Sequence, residues 1–140
     1  MDVDLDTVVP ALGAVACLLL AAIVFLPGLV VTAPNAGVGD YYAAGPFGVS
    51  IVGALALVNV VVFLAGAQRR SNPATLAGVA LVSGLAMLLF AILWAVAIDQ
   101  TLLYSFPPAY AWLENHPWIV VTGAAIVAIL AGSYARTVLT

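Results

Sequence analysis

Four stretches of this chain, residues 8–31, 47–67, 74–97 and 118–135, are long, apolar and free of Asp, Glu, Lys, Arg and His. Uncharged runs of this length rest in a lipid bilayer. Each falls within the roughly 17–25 residues that a helix needs to cross about 30 Å of hydrocarbon. Apolar and polar residues do not alternate with period two, which excludes a membrane barrel on pattern. The expected fold is all-α: residues 1–140 as one integral membrane domain, a bundle of four transmembrane helices.

Composition points the same way. Of 140 residues, 66% are hydrophobic and 6% charged, whereas a soluble domain carries roughly a quarter charged residues to cover its surface. Disorder is excluded too, because it goes with low hydrophobicity and high net charge. Residues 1–6 hold three Asp and no basic residue, unlike the positive start of a signal peptide. The first run is therefore expected to be a retained span.

Turn signals mark the boundaries. Gly45-Pro46, Asn72-Pro73 and Asn115-His116-Pro117 stand before the second, third and fourth spans. Proline at the first helical position loses only an N–H that has no partner inside the helix, and Asn72 and Asn115 are candidate caps. Pro27, late in the first span, is expected to kink or end it. Arg69, Arg70 and Arg136 all fall on one side of a four-span topology, the side that also holds the N-terminus. Basic residues favour the cytoplasmic side, so both termini are expected inside, and residues 32–46 and 98–117 outside.

Aromatic residues gather in or beside those outer loops, with Tyr41, Tyr42, Tyr110, Trp112 and Trp118 as candidate interfacial anchors. Such rings sit among acyl chains while a polar atom stays wet. Residues 108–115 are expected to form a short helix on the outer interface, with Trp112 and Leu113 dipped into lipid.

Lipid is as apolar as leucine, so packing between spans depends on small residues and polar contacts. Ala124, Ala128 and Gly132 form one stripe and Ala80 and Gly84 a second, with Ala74 and Gly78 on another face of the third span. Gly13, Cys17 and Ala21 form a stripe in the first span. Cys17, the only cysteine, reads as a small buried hydrophobe at a helix contact. Asn59 is the most polar group well inside a span. It is expected to bond to a backbone carbonyl or to Ser50, Ser83 or Thr122, because an unpaired amide in hydrocarbon costs a few kcal/mol.

Familiar membrane chemistry finds no footing in the residue types. No ionisable residue stands inside a span, as proton-coupled transport needs. No pair of axial ligands is placed for haem, and nucleophile–base, phosphate-loop and zinc patterns are absent. Asp40, Asp99, Glu114 and His116 are the best outer cluster. They read either as wet loop residues or, if the loops converge, as ligands for a divalent cation.

The run Tyr41-Tyr42-Ala43-Ala44-Gly45, the segment Val61-Val62-Phe63-Leu64-Ala65-Gly66 leading to Arg69-Arg70 and Asn72-Pro73, and Leu93-Trp94-Ala95 resemble an uncharacterised family of small four-span membrane proteins from halophilic archaea. The resemblance covers nearly the whole chain and implies a fold and a membrane, not a reaction. The residues themselves favour a non-enzymatic protein of the cell membrane, without a cofactor. It would serve as a structural or accessory component, packing against itself or a larger complex. Membrane lipids are the expected partners, and nucleic acid is not. Two alternatives remain: a small channel or permease for a neutral or apolar molecule, and a protein that binds a lipid, quinone or carotenoid.

Overall fold

The computed structural model describes residues 5–30, 38–44, 46–68, 70, 72–98 and 112–139. Those residues form five helices and no strand: α1 (Leu5–Val30), α2 (Val38–Ala43), α3 (Ser50–Ala67), α4 (Pro73–Ala97) and α5 (His116–Leu139). Four of them, all but the six-residue α2, are long and apolar enough to cross a membrane. The shortest of the four, α3, has 18 residues. At 1.5 Å per residue it reaches about 27 Å, close to the thickness of the hydrocarbon layer.

Each long helix packs on two others, α1 on α3 and α5, and α4 on the same two. Helices adjacent in sequence are thus neighbours in space, and the ring closes between the first and the last. This is the neighbour order of an up-down-up-down bundle. Small residues face its axis: Ala14, Cys17 and Ala21 from α1, Ala56 from α3, Ala77, Ala80, Gly84 and Ala91 from α4, and Ala124, Ala128 and Ala131 from α5. Large apolar residues point away from it, among them Leu19, Val61, Val82 and Ile129. A water-soluble bundle sorts its residues the other way. In lipid, exposed leucine costs nothing and small residues let backbones approach.

Local signals explain the starts of α4 and α3. Asn72 caps α4, its side-chain oxygen accepting from the Ala74 amide at 2.9 Å, and Pro73 takes the first turn. Pro46, expected at the first position of the second span, instead lies in a turn, and α3 begins at Ser50. The reason is Gly48, whose φ of 71° places it in the left-handed region. A side chain there would meet the Tyr42 carbonyl, to which Val49 donates at 3.0 Å. This turn fastens α2 to the start of α3. Pro27 does not end α1, which runs three residues further.

Of the expected interfacial helix, residues 108–111 lie outside the described part, Tyr110 with them. The remainder, Trp112–Glu114, is a single 3₁₀ turn that leads into α5. Leu113 is fully buried rather than dipped into lipid, because this turn folds back onto the helix ends.

Candidate functional site

The site begins with Pro27. Proline has no N–H, so the carbonyl four residues earlier, that of Ile23, loses its intrahelical donor. An orphaned carbonyl inside a membrane protein needs another donor. His116, at the start of α5, supplies it: its Nε2 lies 2.6 Å from the Ile23 oxygen. A carbonyl can only accept, so Nε2 carries the proton. In the neutral ring Nδ1 is then a lone-pair acceptor. Tyr41 of α2 fills that role, its hydroxyl donating to Nδ1 at 2.6 Å. Tyr42 reaches the next carbonyl of α1, donating to Val24 at 3.0 Å.

Trp94, near the end of α4, completes the arrangement. Its Nε1 donates to the Tyr41 backbone carbonyl at 2.8 Å, one of the carbonyls that the C-terminus of α2 leaves without an intrahelical partner. Its ring meets Tyr41 edge-on, with centroids 5.2 Å apart. It also meets His116 edge-on at 6.0 Å, as Trp112 does from the other direction. Tyr41, Trp94 and His116 are all 2% exposed or less. Side chains from α2, α4 and α5 therefore converge on the C-terminal end of α1. We call this the α2 end of the bundle, and the opposite end, with Arg70 and Arg136, the arginine end.

This arrangement corrects two expectations. Tyr41 is not an interfacial anchor, since hydrogen bonding and ring packing hold it in the core. Tyr42 is half-buried, and its hydroxyl is committed to α1. Nor is His116 a wet loop residue: both its ring nitrogens are engaged in hydrogen bonds. Glu114 is exposed, Asp99 lies outside the described residues, and no group of metal-binding side chains occurs among the described residues. Trp112 is half-buried against His116, and Trp118 is exposed on α5.

The second polar site lies in mid-bundle. Ser83 of α4 donates to Asn59 Oδ1 of α3 at 2.5 Å. Asn59 is fully buried, and its Nδ2 has no partner among the described residues. One bond is thus made and one left unmade, so Asn59→Leu is expected to change stability by less than about 1 kcal/mol in either direction, as when a buried polar group is swapped for an apolar one of like size. A loss above about 2 kcal/mol in reversible unfolding in mixed micelles would show the amide to be a stronger strut than one hydrogen bond makes it.

Of the candidate packing residues, Ala80, Gly84, Ala124 and Ala128 are buried, and a Cβ on Gly84 would sit 3.6 Å from the Ala128 backbone. Gly132 departs from this pattern: a Cβ there meets nothing within 4 Å, because the inward face of α5 passes through Ala131 and Ala135 instead. Arg70 and Arg136 are exposed at the arginine end, and Arg69 lies outside the described residues.

Sequence reasoning missed the Tyr41–His116–Ile23 chain, although one signal was present. A proline inside a span identifies the carbonyl it frees by counting back four residues. His116, Tyr41 and Trp94 were among the few side-chain donors able to serve that end.

With its four apolar helices and outward-facing leucines, the chain is built as a multi-pass membrane protein. It belongs to a family of unknown function (DUF7548), whose model matches residues 3–139. No curated protein matches it, and no solved structure does.

Proposed function

We propose that this is a protein of the cell membrane, of haloarchaeal type, with both termini cytoplasmic, and that it acts as a structural component by associating with a second copy of itself through α4. One observation carries the reading. The outward face of α4 holds an open groove of about 510 Å³ lined by Ala74, Thr75, Gly78, Val79, Val82 and Ser83. A Cβ on Gly78 would meet nothing within 4 Å, so a facing backbone can come close there. Val79 and Val82 form a ridge beside it, both exposed. Groove and ridge on one face are self-complementary, as an interface between two identical copies requires. Small residues spaced by four are the usual seam of such membrane contacts. The three arginines support the orientation.

The transport reading finds less support. Ser50 is exposed at a helix start, and Thr122 bonds back to the Trp118 carbonyl on its own helix. Asn59 and Ser83 bond each other, so the four polar residues do not line one route.

Crosslinking in native membranes and size analysis in mild detergent test the proposal. Wild type is expected to form a dimer and Gly78→Leu a folded monomer, with Gly132→Leu unchanged. A wild-type monomer at every concentration would contradict self-association, and dissociation by Gly132→Leu alone would move the surface to α5.

A further inference from the structure

We propose that Tyr41 is a redox-active tyrosine with His116 as its proton acceptor, so that the α2 end of the bundle gives up an electron to a membrane-borne organic peroxyl radical. A phenol resists one-electron oxidation mainly because the radical cation formed is a very strong acid. A base already hydrogen-bonded to the hydroxyl removes that obstacle by taking the proton as the electron leaves. The geometry meets this requirement. The Tyr41 oxygen and His116 Nδ1 are 2.6 Å apart, and the Ile23 carbonyl on Nε2 fixes Nδ1 as the lone-pair nitrogen. The same carbonyl stabilises the imidazolium that results, through a charge-assisted bond.

The surroundings favour a contained radical. Burial first, and the neighbouring Tyr42 second, push the Tyr41 phenol above its ordinary value. It therefore starts protonated and must pass its proton to a neighbour. Tyr41 is fully buried, and Trp94 covers its ring edge-on, which bars coupling with a second radical. Tyr42 is half-buried with its centroid 6.0 Å away, so it offers the electron a path outward.

The step balances. One electron passes from the phenol to the peroxyl radical. The O–H bond of Tyr41 breaks and its proton forms an N–H bond at Nδ1. The peroxyl anion takes a proton from water, ending as a hydroperoxide plus hydroxide. A quinol-class reductant returns the electron and releases one proton, which neutralises the hydroxide and leaves a semiquinone, while the proton on Nδ1 goes back to the phenoxyl oxygen. This activity does not depend on self-association, since every group belongs to one chain.

The test exposes proteoliposomes to a lipid-soluble azo initiator in air, which generates peroxyl radicals, and freeze-quenches them for electron paramagnetic resonance. Wild type is expected to give a neutral tyrosyl signal that falls to background in Tyr41→Phe. His116→Gln can still donate to Ile23 and accept from Tyr41 but is no base, so it should fold, with only the ring packing against Trp94 and Trp112 lost, and give no signal. His116 is the only histidine, so ¹⁵N-histidine labelling of the wild type reads the pair directly even if both variants fail to fold. A histidine nitrogen coupled to the radical supports the assignment. A radical on tryptophan, a tyrosyl without that coupling, or no radical would overturn it, as would an undiminished signal in His116→Gln.

Discussion

Replacing His116 with alanine is expected to lower the unfolding free energy by about 2–4 kcal/mol, measured by reversible unfolding in mixed micelles. Two buried groups lose their partner at once: the Ile23 carbonyl, which Pro27 leaves without an intrahelical donor, and the Tyr41 hydroxyl. An unsatisfied buried group costs about 1–3 kcal/mol. Single hydrogen bonds inside membranes measure nearer 0.6 kcal/mol, because the unfolded helices also find partners. The emptied ring site adds a packing loss against Trp94 and Trp112. Pro27→Ala restores an N–H at position 27 that can serve Ile23 from within α1. The double variant should therefore lose less than the sum of the two single ones, the mark of groups sharing one partner. A His116→Ala loss below about 0.5 kcal/mol would mean the chain of bonds contributes no more than an ordinary surface contact.

Gly13→Leu is expected to cost about 3 kcal/mol or to prevent folding, at the upper end of what overpacking does to a tight core. A Cβ at this position would lie 2.6 Å from Cδ1 and Cε1 of Phe63 and 2.8 Å from its Cγ. Cγ is the root of the ring, so Phe63 cannot escape by swinging its tip. It is fully buried and packs on Tyr134, with centroids 6.3 Å apart. The α1–α3 seam must then open to admit the side chain. Gly132→Ala is the contrast, since its Cβ meets open space. Removing a helical glycine there should leave stability unchanged or raise it by up to about 1 kcal/mol. Equal effects at positions 13 and 132 in the same unfolding assay would refute the packing argument.

The chain's division into four spans was legible because lipid imposes a coarse rule, that a run either excludes charge over the full thickness or does not cross. Asn72-Pro73 was legible for a local reason, a cap and a proline acting within one turn. Scarcity of polar side chains narrowed the partner of Asn59 to a backbone carbonyl, Ser50, Ser83 or Thr122, and only the packing of α3 on α4 selects Ser83. The α2 end was hidden because it is long-range. His116 and Ile23 are 93 residues apart, and Tyr41 and His116 are 75 apart. Loop position alone made His116 and Tyr41 look wet. Gly132 misled for a geometric reason: a stripe at spacing four drifts around a helix of 3.6 residues per turn, and the buried face of α5 moves to Ala131.

The central claim, that these helices cross the membrane with the α2 end outside, is tested most directly by sided labelling. Cys17, the only cysteine, is first replaced by alanine, and Glu114→Cys and Arg70→Cys are made in that background. Both positions are exposed. A membrane-impermeant maleimide on intact cells should label Glu114→Cys and reach Arg70→Cys only after the cells are opened. Labelling of Arg70→Cys in intact cells would contradict the orientation, and labelling of both from the same side would contradict the crossing itself.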